Sequence, residues 1–343
     1  MKPKSPISKI AAGALGLVTA IVVFFQIAGT AAGTVDVTFK EWDVPRDAFP
    51  HDPAFAPDGS AWYTGQRANV LGRLDPTTGQ IKQYPLPTAG SGPHGLVPDK
   101  QGNIWYTGNA AGLIGKLDPK TGHVTEYKMP DPAARDPHTP IFDQKGTLWF
   151  TVQGGNFVGK LDPATGAITL KQPATPRSAP YGMVISSTGV PFFDMFGTNK
   201  IGSIDPQTMA ITEYVLPSGA RPRRIAITPD DVIWYTDYGR GFLGRLDPKT
   251  KQVKEFKSPG GADARPYGIT TGRDGSLWYS ESGVDPNTIV RFDPKTESMQ
   301  KWEIPSGGGV VRHMVAAPDG TLWLACSGVS KIARVTIKET AGT

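Results

Sequence analysis

Cysteine is nearly absent from this chain. Cys326 stands alone among 343 residues, so no intramolecular disulfide can form and the paired Cys/His spacings of structural zinc sites are missing. Cohesion must come from a buried core, in which Cys326 is read as a small hydrophobe. Runs of like charge are missing as well, apart from Lys2, Lys4 and Lys9. Lys+Arg of 36 against Asp+Glu of 31 gives a formal +5, and about +2 once those three lysines are set aside. That balance leaves no electrostatic footprint for nucleic acid and excludes it as a partner. Long apolar runs are limited to one, Ile10 to Ala28, interrupted by Thr19 and Gln26 and followed by the small residues Gly29 to Gly33.

Charge, apolar run and small residues in that order read as an export signal over residues 1–33. The run also reaches the lower edge of a membrane-spanning length, roughly 17 to 25 residues, so an uncleaved N-terminal anchor is the alternative. Lysines ahead of the run hold that end in the cytoplasm. Residues 34–343 are then expected outside it, periplasmic or extracellular, meeting a membrane only through the leading segment.

What the chain does have is repetition. Trp62, Trp105, Trp149, Phe192, Trp234, Trp278 and Trp323 recur every 42 to 45 residues, the period of four-stranded propeller blades. One unit shows the internal order. A first strand through His94, Leu96 and Val97 ends at Asp99-Lys100-Gln101-Gly102, and Asn103 to Thr107 has the alternation and aromatics of a second strand. Leu113 to Leu117 is a third. Asp118-Pro119-Lys120-Thr121-Gly122 follows, a turn in which Pro presets the first central position and Gly supplies positive φ. His123 to Met129 completes the unit. The Asp-Pro turn returns at Asp75, Asp162, Asp205, Asp247 and Asp293.

The last unit has no fourth strand after Lys331 to Val335, whereas Val37 to Pro45 copies fourth strands such as Ile211 to Pro217. The N-terminal strand is therefore expected to close the last blade. The prediction is an all-β, seven-bladed propeller in one domain, 34–343, leaving only short protected edges. A monomer is expected.

A Pro-X-Gly core, sometimes degraded, opens each unit. Its middle position is read as His51, His94, His138, Tyr181, Arg223, Tyr267 and His313, so four of five histidines fall there. Because the first strand is innermost, these residues should ring the funnel mouth, where binding groups collect. Closing the circle makes His313, His51, His94 and His138 neighbours, facing Tyr181, Arg223 and Tyr267. The ends of the second strands add Asp237 and Glu281.

Three readings of the arc stand open. Neutral imidazoles could ligate a transition metal, one could act as a general base, or the rings could simply fill the mouth. The tryptophans, at a fixed mid-strand position, are expected to pack between blades rather than stack on sugars. His123 is expected in solvent.

The motifs Pro-X-Gly-Ile, Trp-aromatic-Thr, Ile-Gly-X-Leu/Ile-Asp and Thr-Glu-Tyr-X-Leu-Pro resemble the virginiamycin B lyase (streptogramin lyase) family, over essentially all of Val35 to Ile337. The resemblance implies a seven-bladed propeller. It also implies opening of a cyclic depsipeptide by elimination, assisted by a divalent metal, usually magnesium. It places the family's catalytic histidine on His313 and its second histidine on Tyr267. The family's two glutamates fall on Val311 and Ser327, a departure from the pattern.

The leading reading places a small molecule or cyclic peptide in the funnel, with His313 and Tyr267 catalytic, and takes Tyr181, Arg223, Glu281 and Asp237 as substrate contacts from their ring and strand-end positions, since neither Glu281 nor Asp237 occupies a matching family position. A non-catalytic propeller holding a ligand or metal on His51, His94, His138 and His313 is the alternative. A lactonase-like hydrolase would need acidic metal ligands, which the ring positions lack.

Overall fold

The computed structural model describes residues 35–339, so the expected export segment, 1–33, lies outside the described residues. Among these, no helix is long and apolar enough to cross a membrane. Seven antiparallel four-stranded sheets follow one another in chain order. Six are local meanders, the first being Pro50–Phe55, Ala61–Gly65, Val70–Leu74 and Ile81–Pro85. In the seventh, Val35–Asp43 pairs along its whole length with Lys331–Glu339, from Val35 opposite Glu339 to Asp43 opposite Lys331. The predicted closure is thus formed, and it ties both ends of the described chain into one sheet.

Each residue of the Trp-aromatic-Thr motif has a separate task, because successive strand residues face opposite sides. The tryptophan packs toward the following blade: Trp62 joins Leu96, Ile104 and Tyr106 of blade two, and Trp323 closes the circle against Ala61 and Tyr63 of blade one. Most of the indole N–H groups find an acceptor in the adjoining turn, as Trp105 does on Asp99 at 2.9 Å. The next ring lies on its own third strand, over the glycine of the Ile-Gly-X-Leu motif. A Cβ on Gly72 or Gly244 would come within 2.0 Å of the tyrosine ring above it, so only glycine allows the approach.

The threonine is a latch between blades. Thr107 accepts the Gly95 N–H of its own blade at 2.9 Å and donates to the His138 carbonyl of the next at 2.8 Å. Thr64, Thr151 and Thr236 make the equivalent pair of bonds, and Ser280 accepts from Gly268 N–H but donates to the Val311 carbonyl, one residue earlier in the next blade's strand. Blade four departs from this, with Asp194 in the threonine's place.

Candidate functional site

The first strands all carry a register shift between their first and fourth residues: Pro93 pairs with Gly108 but Leu96 with Tyr106, and the same irregularity recurs in the other six blades. One extra residue is accommodated, as in a β-bulge. Two consecutive side chains per blade can then point at the axis instead of one. The funnel accordingly has two stacked rings.

The shift corrects the expected ring. Val311 pairs with Cys326 as Pro266 pairs with Glu281, so Arg312, and not His313, is blade seven's counterpart of Tyr267. The upper ring is His51, His94, His138, Tyr181, Arg223, Tyr267 and Arg312. The sequence reading missed this because blade seven lacks the proline that marks the register in the other six blades.

The inner ring is Asp52, Gly95, Thr139, Gly182, Arg224, Gly268 and His313. Side chains and glycines alternate for a steric reason. A Cβ on Gly95 would lie 2.4 Å from the His138 carbonyl, and one on Gly268 would lie 3.1 Å from His313 Cα. Seven being odd, His313 and Asp52 fall on adjacent blades.

Arg224 spans the axis. Its Nη2 donates to both carboxylate oxygens of Asp52 at 2.9 Å, and its Nη1 donates to Thr139 Oγ1 at 3.0 Å. His51 Nδ1 lies 2.9 Å from Asp52 Oδ1, and His138 Nδ1 lies 3.1 Å from Thr139 Oγ1. The upper-ring side chains pack in sequence, with ring centroids 3.8 Å apart for His51 and His94, 3.7 Å for His94 and His138, and 3.7 Å for His138 and Tyr181. Tyr181 and Tyr267 join hydroxyl to hydroxyl. All five of these side chains are buried. Solvent reaches the axis at half-buried Arg223, Arg312 and His313.

Charge at the centre follows from burial and from Arg224. Burial pushes the Asp52 carboxyl up, but the Arg224 guanidinium and the hydrogen bond to His51 act against it, and the carboxyl lies well below the usual carboxylate range. Burial lowers all four imidazoles, His94 and His138 most strongly, with neighbouring positive groups adding to the effect. His313 is brought down to about 3 by burial and then by Arg224, so it is neutral at neutral pH, with no partner on Nδ1. Asp194 goes the other way. Burial raises its carboxyl well above normal despite Arg224, and its Oδ1 has no partner.

Two expected substrate contacts lie elsewhere. Glu281 is fully buried and accepts from Ser258 at 2.6 Å, Gly260 N–H at 2.6 Å and Thr288 at 2.7 Å. Asp237 is equally buried, holding Arg240 Nε at 2.6 Å and the Arg221, Gly239 and Arg240 N–H groups. Both share a strand face with the tyrosine two residues earlier and serve as loop clamps. His123 is exposed, as expected.

His51, Asp52 and His94 form a group that could hold a metal ion, their ligand atoms lying within 4.8 Å of one another. His138 and His313 are not part of it. Magnesium is a poorer match, since it prefers carboxylate and water oxygens. Of the positions the resemblance assigns, Val311 is a buried apolar side chain, Ser327 donates to the Pro50 carbonyl at 2.6 Å, and Tyr267 is bonded to Tyr181. The Asp52 carboxylate is already neutralised by Arg224.

The mouth-side loops carry Arg46, Arg67, Arg135, Arg177, Arg221, Arg240 and Arg265 and no lysine. Turns on the opposite side carry Lys100, Lys120, Lys145, Lys249, Lys251 and Lys295 with Arg273 alone. Beside Arg223, blades four and five place Phe196 and Tyr238 directly after their second strands, where the other blades have Gln, Asn or Ser. A surface groove of about 870 Å³ lies on the opposite side between blades five and six. Its Lys254 and Arg291 are already paired with Glu297 and Asp274, and it holds none of the groups described above.

The virginiamycin B lyase family profile matches residues 21–195 and 171–342. Among solved structures, a streptogramin B lyase is 28% identical over 88% of this chain and 98% of its own, with a TM-score of 0.80. A virginiamycin B lyase from Staphylococcus aureus is 27% identical over 88% and 99%, with a TM-score of 0.80. A catalytically inactive histidine-to-alanine form of that enzyme, solved with quinupristin, has a TM-score of 0.79 at 27% identity, over 88% and 99%. Hydrazine synthase of Kuenenia stuttgartiensis, at 16% identity, shares the fold alone. No curated protein matches the chain.

Proposed function

The chain belongs to the virginiamycin B lyase family, and from that membership we propose that it is an exported carbon–oxygen lyase opening an ester-containing small molecule or cyclic peptide at the funnel mouth, with His313 as base. The observation that carries this reading is the state of His313. Among the described histidines at the axis it is the one left half-buried, whereas His51, His94 and His138 are buried. A base must be unprotonated and within reach of the proton it removes. The S. aureus form described as catalytically inactive is a histidine-to-alanine replacement, and the resemblance sets that family's catalytic histidine on His313.

In the proposed step the imidazole takes the proton α to a carbonyl. The Cα–H electron pair forms a carbon–carbon double bond, the ester C–O bond breaks, and the oxygen leaves as a carboxylate. The charge of Arg224 reaches His313. It adds positive potential where negative charge develops. The donor set does not fit magnesium, so no step is assigned to it. The test is incubation of the purified protein with a streptogramin B lactone. Elimination gives a linear product of unchanged mass, hydrolysis a product one water heavier, and His313→Ala should abolish the former.

A second reading, a binding propeller holding a transition metal, is favoured by one observation. His94 Nδ1 is buried without a partner beside His51 and Asp52. Metal analysis decides it: bound metal lost on replacing His51 and His94 together supports this reading, and metal-free wild type removes it.

A further inference from the structure

Three guanidiniums and two aromatic rings alternate along one side of the mouth. Arg265 lies over Tyr238 at 5.9 Å, Arg223 over Tyr238 at 4.2 Å and over Phe196 at 4.9 Å, and Arg221 over Phe196 at 4.6 Å. Arg223 also lies 4.0 Å from the Tyr267 ring centroid. Among the described residues, none of the three arginines has a carboxylate within 4.0 Å. Arg240, a few residues away, shows the contrast by pairing with both Asp237 and Glu255.

Like charges crowded together without counter-ions are unfavourable, and the flanking rings compensate only through the faces of the guanidiniums. What stays available is the edge of each guanidinium, where paired N–H groups match two oxygens of one oxyanion. Arg223 is half-buried and its Nε is buried without a hydrogen-bond partner. Arg221 and Arg265 stand exposed on either side. Phe196 and Tyr238, both half-buried, leave aromatic surface beside the charges for the body of a ligand.

We propose that the Arg221–Phe196–Arg223–Tyr238–Arg265 ladder is a binding subsite for the carboxylate or phosphate of a small organic anion whose apolar body lies on the two rings. This deepens the reading given above by assigning the charge of the ligand, and it rests on that reading only for turnover. His313 belongs to blade seven and the ladder to blades four to six, so binding and proton removal are separable.

The test is isothermal titration of the purified protein with benzoate, phenyl phosphate and neutral benzamide. The expected result is saturable binding of one or both anions and none of benzamide. Arg223→Gln should weaken anion binding at least tenfold and Arg265→Gln should weaken it to a lesser degree, whereas Arg177→Gln, on the same face but off the ladder, should not change it. His313→Ala should bind as the wild type does, so a dead base and an empty subsite give different results. Failure of both anions to bind, equal binding of benzamide, or equal weakening by Arg177→Gln would overturn the proposal. The exposed Arg265 keeps the test valid if Arg223→Gln does not fold.

Discussion

Arg224 brings a full charge to the centre of the ring with 1% of its surface exposed, and Asp52, 2% exposed, receives it with two oxygens. Removing one partner of such a pair leaves the other buried and uncompensated, at a cost of about 3–5 kcal/mol. Arg224→Met should therefore lower unfolding stability by that amount in denaturant titration, and adding Asp52→Asn should recover part of it. A loss below about 0.5 kcal/mol would show that the pair does not organise the axis. Asp194 is the opposite case, a carboxyl where five other blades have a hydroxyl latch. Asp194→Thr should stabilise by about 1–3 kcal/mol at pH 7, by restoring the bond to the next blade. The sign of the pH effect follows from the raised carboxyl. The folded protein holds a proton that the unfolded chain releases above about pH 3.9, so the wild-type deficit grows as pH rises through that value and the variant's advantage should shrink toward pH 4. Equal stability of both proteins at both pH values would contradict the latch. None of Asp52, Thr139, Arg224 or Asp194 stood out in the sequence, because a period read at one position per repeat cannot show that a bulge presents two.

That bulge is the element on which the site is built. In six of the seven blades it is pinned from the second strand, by a hydroxyl in five and in blade four by Asp194 Oδ2, which accepts from the Gly182 N–H at 3.0 Å. Blade seven has Ala325 there instead, and this is where His313 stands half-exposed. The bulged strands together carry four imidazoles whose affinity for protons falls on folding, so their contribution is present above the unfolded value near 6.5 and lost as pH drops below it. Melting temperature should fall steadily from pH 6.5 to pH 4.5, with His94→Gln and His138→Gln each flattening the slope. A flat profile over that window would mean these rings are not buried neutral. The clamps at Asp237 and Glu281 were misread for a related reason. A carboxylate at a strand end is recognisable in sequence, but whether it faces ligand or loop depends on the strand's face.

At the scale of the whole molecule, the seven-fold period, the Asp-Pro turns and the orphan fourth strand were enough to specify the propeller and its closure, since each recurs at a fixed offset and buries the same face. The interior of the funnel was legible only where the proline marked the register, which gave six of the seven upper-ring residues and misplaced the seventh. The arginine and aromatic ladder was invisible because its members come from loops of different blades and repeat no motif. His313 remains the residue on which sequence resemblance and axis geometry converge. The most direct measurement is the mass and rate of the product formed from a streptogramin B lactone by wild type and His313→Ala. The account predicts a linear product of unchanged mass, formed at a rate at least about 100-fold lower in the variant. No linear product from the wild type, or an equal rate from the variant, would contradict it.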